Sequence, residues 1–95
     1  MNEKPARVLT GRDGIDRLNA LITVLDDEEQ VRLVLDDGGI EEGVVAARPT
    51  LQVFRAGDGE DGANALLRLE TLTGDGPSRY LWLDGVTEVI RLGSA

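Results

Sequence analysis

The stretch from Gln30 to Phe54 constrains the fold of this chain more than any other, because it joins two apolar strand patterns through an acidic glycine turn. Val31, Leu33 and Leu35 recur at every second position, the period that is typical of a half-buried β-strand. The run Asp36-Asp37-Gly38-Gly39 supplies residues that tolerate a positive φ, which a tight hairpin requires. The stretch therefore predicts a strand over about 30–36, a turn and an antiparallel returning strand.

Two residues interrupt the returning strand. Gly43 lies in the middle of the strand predicted over about 39–48, where the absence of a side chain permits the sharp bend that closes a small barrel. Pro49 cannot donate a hydrogen bond to a strand ladder, so we expect the strand to break there or reach an edge, and to resume over about 50–55. Gly38, Gly43 and the later Gly85 are the glycines to which we assign turns and bends.

One amphipathic helix precedes the strands. Its apolar residues recur at helical spacing and predict a helix over about 13–25: Ile15, Leu18, Leu21, Ile22 and Leu25. Asp13 is the expected N-cap, with Thr10 as the competing choice. Residues 1–12 are interpreted as an N-terminal tail, in which Val8 and Leu9 could form a short strand or pack under the helix.

The second half of the chain predicts further strands and no second domain. Alternation predicts a strand over about 64–72, and the segment 78–92 continues with Asp84-Gly85 as a two-residue hairpin turn. The glycine-rich, acidic segment 56–62 is predicted to be a mobile loop. One helix and five short strands over 13–95 form a single domain, and this order is typical of a small antiparallel barrel.

Composition excludes several classes of function. The chain has 18 Asp and Glu against 10 Lys and Arg, and its net charge of -8 disfavours nonspecific binding to nucleic acids or anionic membranes. It has no Cys and no His, so it lacks a thiolate nucleophile and the commonest general base and metal ligand. The carboxylates of segment 56–62 lack the spacing of a calcium loop. We expect no catalytic residue, no metal and no cofactor, and the chain is not expected to be an enzyme.

The chain carries no sign of a membrane or export segment. Its first residues lack an apolar signal region, and no apolar run of about 18 residues occurs. The expected location is the cytoplasm.

Two motifs resemble those of the Sm and Sm-like family. The first is Val31-x-Leu33-x-Leu35-Asp36-Asp37-Gly38, followed by Gly43 and Val45, and the second is Leu81-Trp82-Leu83-Asp84-Gly85-Val86, followed by Val89 and Ile90. The resemblance covers about 13–92, and the segments RPTLQVF and YLWLDG are similar to a group of small uncharacterised bacterial Sm-like proteins. It implies a mainly β fold with one N-terminal α-helix and a strongly bent, five-stranded antiparallel barrel of the SH3 type. Family members often assemble into rings through their fourth and fifth strands and frequently bind single-stranded RNA.

The chain departs from the family pattern where the family contacts RNA. The Asp and Asn that the family usually carries after its second strand correspond here to Pro49 and Val53. Asp84 stands where an Arg or Lys commonly precedes the glycine of the second motif. The Lys-His pair of the bacterial RNA chaperone relatives is also absent, since the chain has no His.

Three polar residues around Pro49 are the candidates for an RNA site. Arg48, Gln52 and Arg55 lie where the RNA-contacting loop of the family would fall, and they could bind a phosphate or an exposed base edge. The alternative is that both arginines neutralise neighbouring carboxylates and that Gln52 is simply an outward residue of the strand.

The segment Tyr80 to Leu83 is the candidate interface, because it is apolar on both faces of an extended strand. An exposed apolar edge strand favours pairing with another chain, in which Tyr80 or Trp82 would be an anchor. The alternative is that the helix covers this face within a monomer. We therefore expect a non-catalytic assembly or binding module, forming a homo-oligomer or binding a protein partner. The second hypothesis is single-stranded RNA binding through the local arginines.

Overall fold

The computed structural model describes residues 8–55 and 61–94, which form one helix and six strands. The elements are α1 (Gly11–Thr23), β1 (Glu29–Leu35), β2 (Ile40–Val45), β3 (Leu51–Arg55), β4 (Asp61–Glu70), β5 (Arg79–Trp82) and β6 (Val86–Ser94), with a 3-10 turn at Leu83–Gly85. Within these ranges no helix has both the length and the apolar character that crossing a membrane requires. Of the predicted loop 56–62, residues 56–60 lie outside the described ranges, and Asp61 and Gly62 belong to β4.

All the strand pairs are antiparallel, in the order β3-β4-β2-β1-β6, with β5 on β4. The predicted mainly β architecture with one N-terminal helix is therefore confirmed. The expected break at Pro49 separates β2 from β3, and the described strands number six rather than five because the segment predicted over 78–92 is divided into β5 and β6 by the 3-10 turn. In the described part of the chain β5 and β6 do not pair with each other, so the sheet stays open there.

The hairpin at the centre of the sequence has the predicted form. β1 and β2 pair with Val34 opposite Ile40, and Gly38 has a φ of 89° in the turn between them. The N-H of Leu35 donates to the carbonyl oxygen of Gly39 at 2.9 Å, and the Asp37 carboxylate accepts from the Gly39 N-H at 2.8 Å. The acidic residue and the glycines thus act as turn residues.

Gly43 is required by the close approach of β2 to β4. A Cβ at this position would lie 2.4 Å from the carbonyl oxygen of Glu70 and 2.6 Å from Cγ of Leu69. Val44 and Val45 pair with Glu70 and Leu69 immediately beyond this contact. Any side chain at Gly43 would therefore push β2 away from β4.

The predicted Asp84-Gly85 hairpin is wrong. Leu83–Gly85 form a 3-10 turn that carries the chain from β5, which pairs with β4, to β6, which pairs with β1. The N-H of Asp36 donates to the carbonyl oxygen of Gly85 at 2.9 Å and so ties this turn to the β1–β2 hairpin. Gly85 has no positive φ, and a Cβ there would meet only Oδ1 of Asp36, at 3.8 Å.

The helix begins two residues earlier than expected. α1 spans Gly11–Thr23 rather than 13–25, and Thr10 occupies the N-cap position without a side-chain hydrogen bond, while Asp13 lies in the first turn. Before the helix, the N-H and carbonyl groups of Leu9 exchange two 2.8 Å hydrogen bonds with Ala63 of β4. The last residues of the expected tail 1–12 are therefore part of the fold.

One apolar core lies between the helix and the sheet. Leu18 is the helix residue buried in it, and β4 contributes alternate residues along one face, as the period of a strand requires. The buried apolar residues are Leu18, Leu25, Val31, Leu33, Val45, Ala63, Ala65, Leu67, Leu69, Leu83 and Val86. The core is aliphatic throughout, so the three aromatic side chains lie at its margin or outside it.

Candidate functional site

The edge of β5 is open and presents backbone hydrogen-bonding groups. In the described part of the chain β5 pairs only with β4, where Tyr80 lies opposite Arg68. The carbonyl oxygen of Arg68 accepts from the N-H of Ala46, which lies on the β2–β3 side of β4. Because the N-H and C=O of one strand residue point to the same side, Tyr80 directs its own groups away from β4. The same alternation places the backbone N-H and C=O of Trp82 on the open edge of β5.

The edge of β6 is open in the same way. The N-H of Leu35 donates to Gly39, so Leu35 and, by alternation, Leu33 direct their backbone groups toward β2. Val89 lies opposite Leu33 in the β1–β6 pair and therefore directs its N-H and C=O away from β1. The described residues place no strand against this side of β6. In the described part of the chain, β5 and β6 thus present two different open edges, and one 3-10 turn joins the two strands.

Tyr80 and Trp82 share a face of the sheet but differ in their surroundings. The side chain of Tyr80 is 61% exposed, whereas Trp82 is half-buried and its ring meets Phe54 edge to face, with centroids 6.0 Å apart. An aromatic pair of this geometry stabilises by about 0.5–1.5 kcal/mol beyond its buried area. Trp82 therefore supports the packing of β3 against β5, and Tyr80 is the residue that is available to another molecule.

A buried polar network lies beneath the turn that separates the two edges. Asn64 is fully buried in β4, and its Nδ2 donates to Oδ1 of Asp84 at 2.7 Å. Its Oδ1 accepts from the N-H of Asp84 at 3.1 Å and from the N-H of Ala65 at 2.9 Å. Arg17 of the helix donates to the carbonyl oxygen of Val86 at 2.8 Å. Helix, long strand and turn are thereby held together by polar contacts that fix the starting direction of β6.

Asn64 is not among the residues that the sequence patterns single out. The only signal is an amide between two alanines within a strand, a position where a buried side chain must find partners. Asp84, which stands where the family resemblance expects a cation, directs its carboxylate to Asn64.

The structure does not gather the three candidate RNA residues into one patch. The guanidinium of Arg48 is paired with Asp26, and its backbone N-H donates to Oδ1 of Asp27. Gln52 and Arg55 are both exposed on β3, but an odd separation along a strand places them on opposite faces. In the pairing of β3 with β4, Arg55 lies opposite Asp61. For Arg48, the interpretation that arginines neutralise neighbouring carboxylates describes the observed contact.

The carboxylates of the described residues do not converge on a metal site. No group of three or more acidic residues within 8–55 and 61–94 has an arrangement that could hold an ion. Several acidic side chains are instead paired with arginines, such as Glu42 with Arg32 and Glu41 with Arg79.

A helix followed by an antiparallel sheet, with an acidic glycine hairpin and a glycine where two strands approach closely, defines this chain as an Sm-like domain. The chain is similar to the crystal structure of a Xanthomonas campestris protein described as adopting a novel variant of the Sm-like motif. The TM-score is 0.80 and the identity 33%, over 95% of this chain and 97% of that chain. The resemblance inferred from the two motifs is therefore confirmed.

The chain belongs to the family described as a domain of unknown function, DUF3247, whose family model matches residues 2–92. A comparison with curated proteins found no significant match.

Proposed function

We propose that this Sm-like domain is a non-catalytic assembly module that joins copies of itself, or a protein partner, through the open edges of β5 and β6. One observation carries the proposal: each of these strands is paired on a single side in the described part of the chain, although each carries adjacent apolar residues, Tyr80 to Trp82 in β5 and Val89 and Ile90 in β6. Open strand edges are templates for pairing with another chain, and proteins that do not use them usually cover or charge them.

The open edges of β5 and β6 can pair with each other, because each presents backbone hydrogen-bond donors and acceptors. Tyr80 and Trp82 direct backbone donors and acceptors outward from β5, and Val89 does so from β6. When β5 of one copy adds to β6 of the next, each copy uses two different surfaces, and such a contact closes into a ring or continues as a fibre. The buried Asn64–Asp84 network fixes the turn between the edges, so the angle between successive copies is set within each chain.

The side chain of Tyr80 gives the test. Tyr80→Lys places a charge on the β5 edge, the device that natural sheets use against edge pairing. Because Tyr80 is 61% exposed, we expect the fold to be retained and the mass from light scattering to fall below that of the parent chain. Leu72→Lys is the matched control, since Leu72 is 44% exposed in a turn and lies on no strand edge.

An unchanged mass for Tyr80→Lys would show that the β5 edge is not the contact. A parent chain that is monomeric at every concentration would contradict self-association and direct the search to protein partners.

Single-stranded RNA binding is the second candidate. It is favoured by Arg55, whose exposed guanidinium on β3 is a group that binds phosphate. The affinity for RNA would fall as the salt concentration rises, whereas self-association of this acidic chain would tighten. This difference separates the two functions.

A further inference from the structure

A third open edge, that of β3, points to a contact that the assembly through β5 and β6 does not involve. β3 is the terminal strand of the sheet and pairs only with β4 in the described part of the chain. Leu9 does not cover it, because Leu9 bonds to Ala63 on the other edge of β4. Val53, at the centre of β3, is 65% exposed, the largest exposure of any large apolar side chain in the described residues.

The hydrogen bonds of Ala63 determine which groups β3 presents. The N-H and C=O of Ala63 are both bonded to Leu9. Val53 and Ala63, which lie opposite each other, are therefore a non-hydrogen-bonded pair of the antiparallel ladder. Val53 must then direct its N-H and C=O away from β4, and alternation gives Leu51 and Arg55 the same direction. The N-H and C=O groups of these three residues, which are every second residue of β3, thus form a hydrogen-bonding edge that faces away from β4.

The order of side chains along β3 suits an antiparallel copy of itself. With a twofold axis at Val53, each outward residue exchanges two hydrogen bonds with its opposite: Val53 with Val53, and Leu51 with Arg55 of the second copy. On the other face, Gln52 lies opposite Phe54. No like charges meet, because the two Arg55 side chains lie at opposite ends of the pair.

Neighbouring registers are disfavoured at both ends. A shift toward the start of the strand brings in Pro49, which has no N-H to donate. A shift of the twofold axis to Phe54 pairs Val53 with Arg55 of the second copy and leaves Leu51 without a partner in β3, and a further shift to Arg55 places the two Arg55 side chains opposite each other, where like charges destabilise a strand pair. The twofold register at Val53 is thus the one that uses all three outward residues.

We propose that two copies of this chain pair through their β3 strands, antiparallel and centred on Val53, to form one continuous sheet across the interface. This contact is isologous, with the same surface on both copies, whereas the β5–β6 contact uses two different surfaces. The two contacts are independent, so a chain that has both would join rings in pairs.

A single introduced cysteine tests the register directly, since the chain has no Cys of its own. In a hydrogen-bonded antiparallel pair the opposite Cα atoms lie about 5.5 Å apart, within the range that a disulfide spans. Val53→Cys should therefore form a covalent dimer under mild oxidation. Ile40→Cys is the matched control, because Ile40 is 60% exposed at the start of β2 and is not in the proposed contact. We expect Val53→Cys to cross-link at least about tenfold faster than Ile40→Cys at equal concentration.

Equal cross-linking rates for the two variants would overturn the proposal. A second variant, Val53→Pro, removes the outward N-H but none of the hydrogen bonds between β3 and β4, so it should retain the fold and lower the mass. A Val53→Pro chain that folds and keeps the parent mass would also overturn it. Repeating the cross-linking in a Tyr80→Lys background separates this contact from the β5 edge, since Val53→Cys should still cross-link there.

Discussion

Asn64 shows how a single side chain holds distant parts of this fold in place. Its amide bonds both to the side chain and to the backbone of Asp84, 20 positions later, and to the N-H of the adjacent Ala65. A buried polar group is tolerated only when it forms such hydrogen bonds. If the group is removed, each partner that remains buried without a hydrogen bond lowers the free energy of unfolding. The amide is therefore a structural requirement of the turn between β5 and β6.

At this scale we predict the effect of Asn64→Ala. The substitution removes the hydrogen bonds that the Asn64 amide forms with the N-H groups of Ala65 and Asp84 and with the Asp84 carboxylate. We therefore expect the free energy of unfolding to fall by about 2–4 kcal/mol. Urea unfolding followed by the fluorescence of Trp82, the single tryptophan, measures it. Gln52→Ala is the control, because Gln52 is the residue opposite Asn64 in β3 but is exposed, and its loss should cost less than about 0.5 kcal/mol. Equal midpoints for the two variants would contradict the structural role of Asn64.

At the scale of elements, the contact of β2 with β4 decides how the sheet is built. β4 is ten residues long and pairs with β3, β2 and β5, so it connects both parts of the sheet. Gly43 permits β2 to approach it, because the space that a Cβ would fill is occupied by Glu70 and Leu69. Backbone atoms cannot rotate away as the end of a flexible side chain can, so this approach is specific to glycine.

Gly43→Ala is accordingly expected to destabilise the domain strongly. Overpacking of this kind costs about 1–3 kcal/mol, and for a domain of this size each kcal/mol lowers Tm by roughly 4–8 °C. Gly85→Ala is the matched control: its Cβ would meet only one atom, at 3.8 Å, and its φ is not positive. Thermal unfolding followed by circular dichroism compares the two. The account of the β2–β4 contact fails if Gly43→Ala melts as high as Gly85→Ala.

For the whole molecule, net charge and open edges act in opposite directions. Copies with a charge of -8 repel each other at long range, whereas the strand edges attract at contact. The Debye length shortens from about 30 Å at 0.01 M salt to about 8 Å at 0.15 M, so the repulsion is screened while the hydrogen bonds and apolar contacts remain. Self-association should consequently tighten as salt rises.

This salt dependence is the prediction that separates assembly from RNA binding. Light scattering at the two salt concentrations should give a higher mass at 0.15 M, while the anisotropy of labelled U-rich and A-rich oligoribonucleotides should show no saturable binding. Saturable binding that weakens with salt, and that Arg55→Ala lowers, would make RNA binding the function. Arg48→Ala is the control, because the guanidinium of Arg48 is already paired with Asp26.

The sequence by itself determined the local elements and the fold family. The alternation of Val31, Leu33 and Leu35 and the acidic glycine turn specify the β1–β2 hairpin, because strand period and turn chemistry depend on residues close together in the chain. The two motifs around that hairpin and around Leu81 to Ile90 indicated the Sm-like family for the same reason.

Only the tertiary structure decided which strands meet. Asp84-Gly85 has the residues of a hairpin, but the contacts of Asn64, Arg17 and Asp36 hold it as a 3-10 turn between strands that pair elsewhere. The ion pair of Arg48 with Asp26 and the open edge of β3 likewise follow from contacts between residues far apart in sequence. Local preference cannot specify such contacts, because each depends on where another segment of the chain is placed.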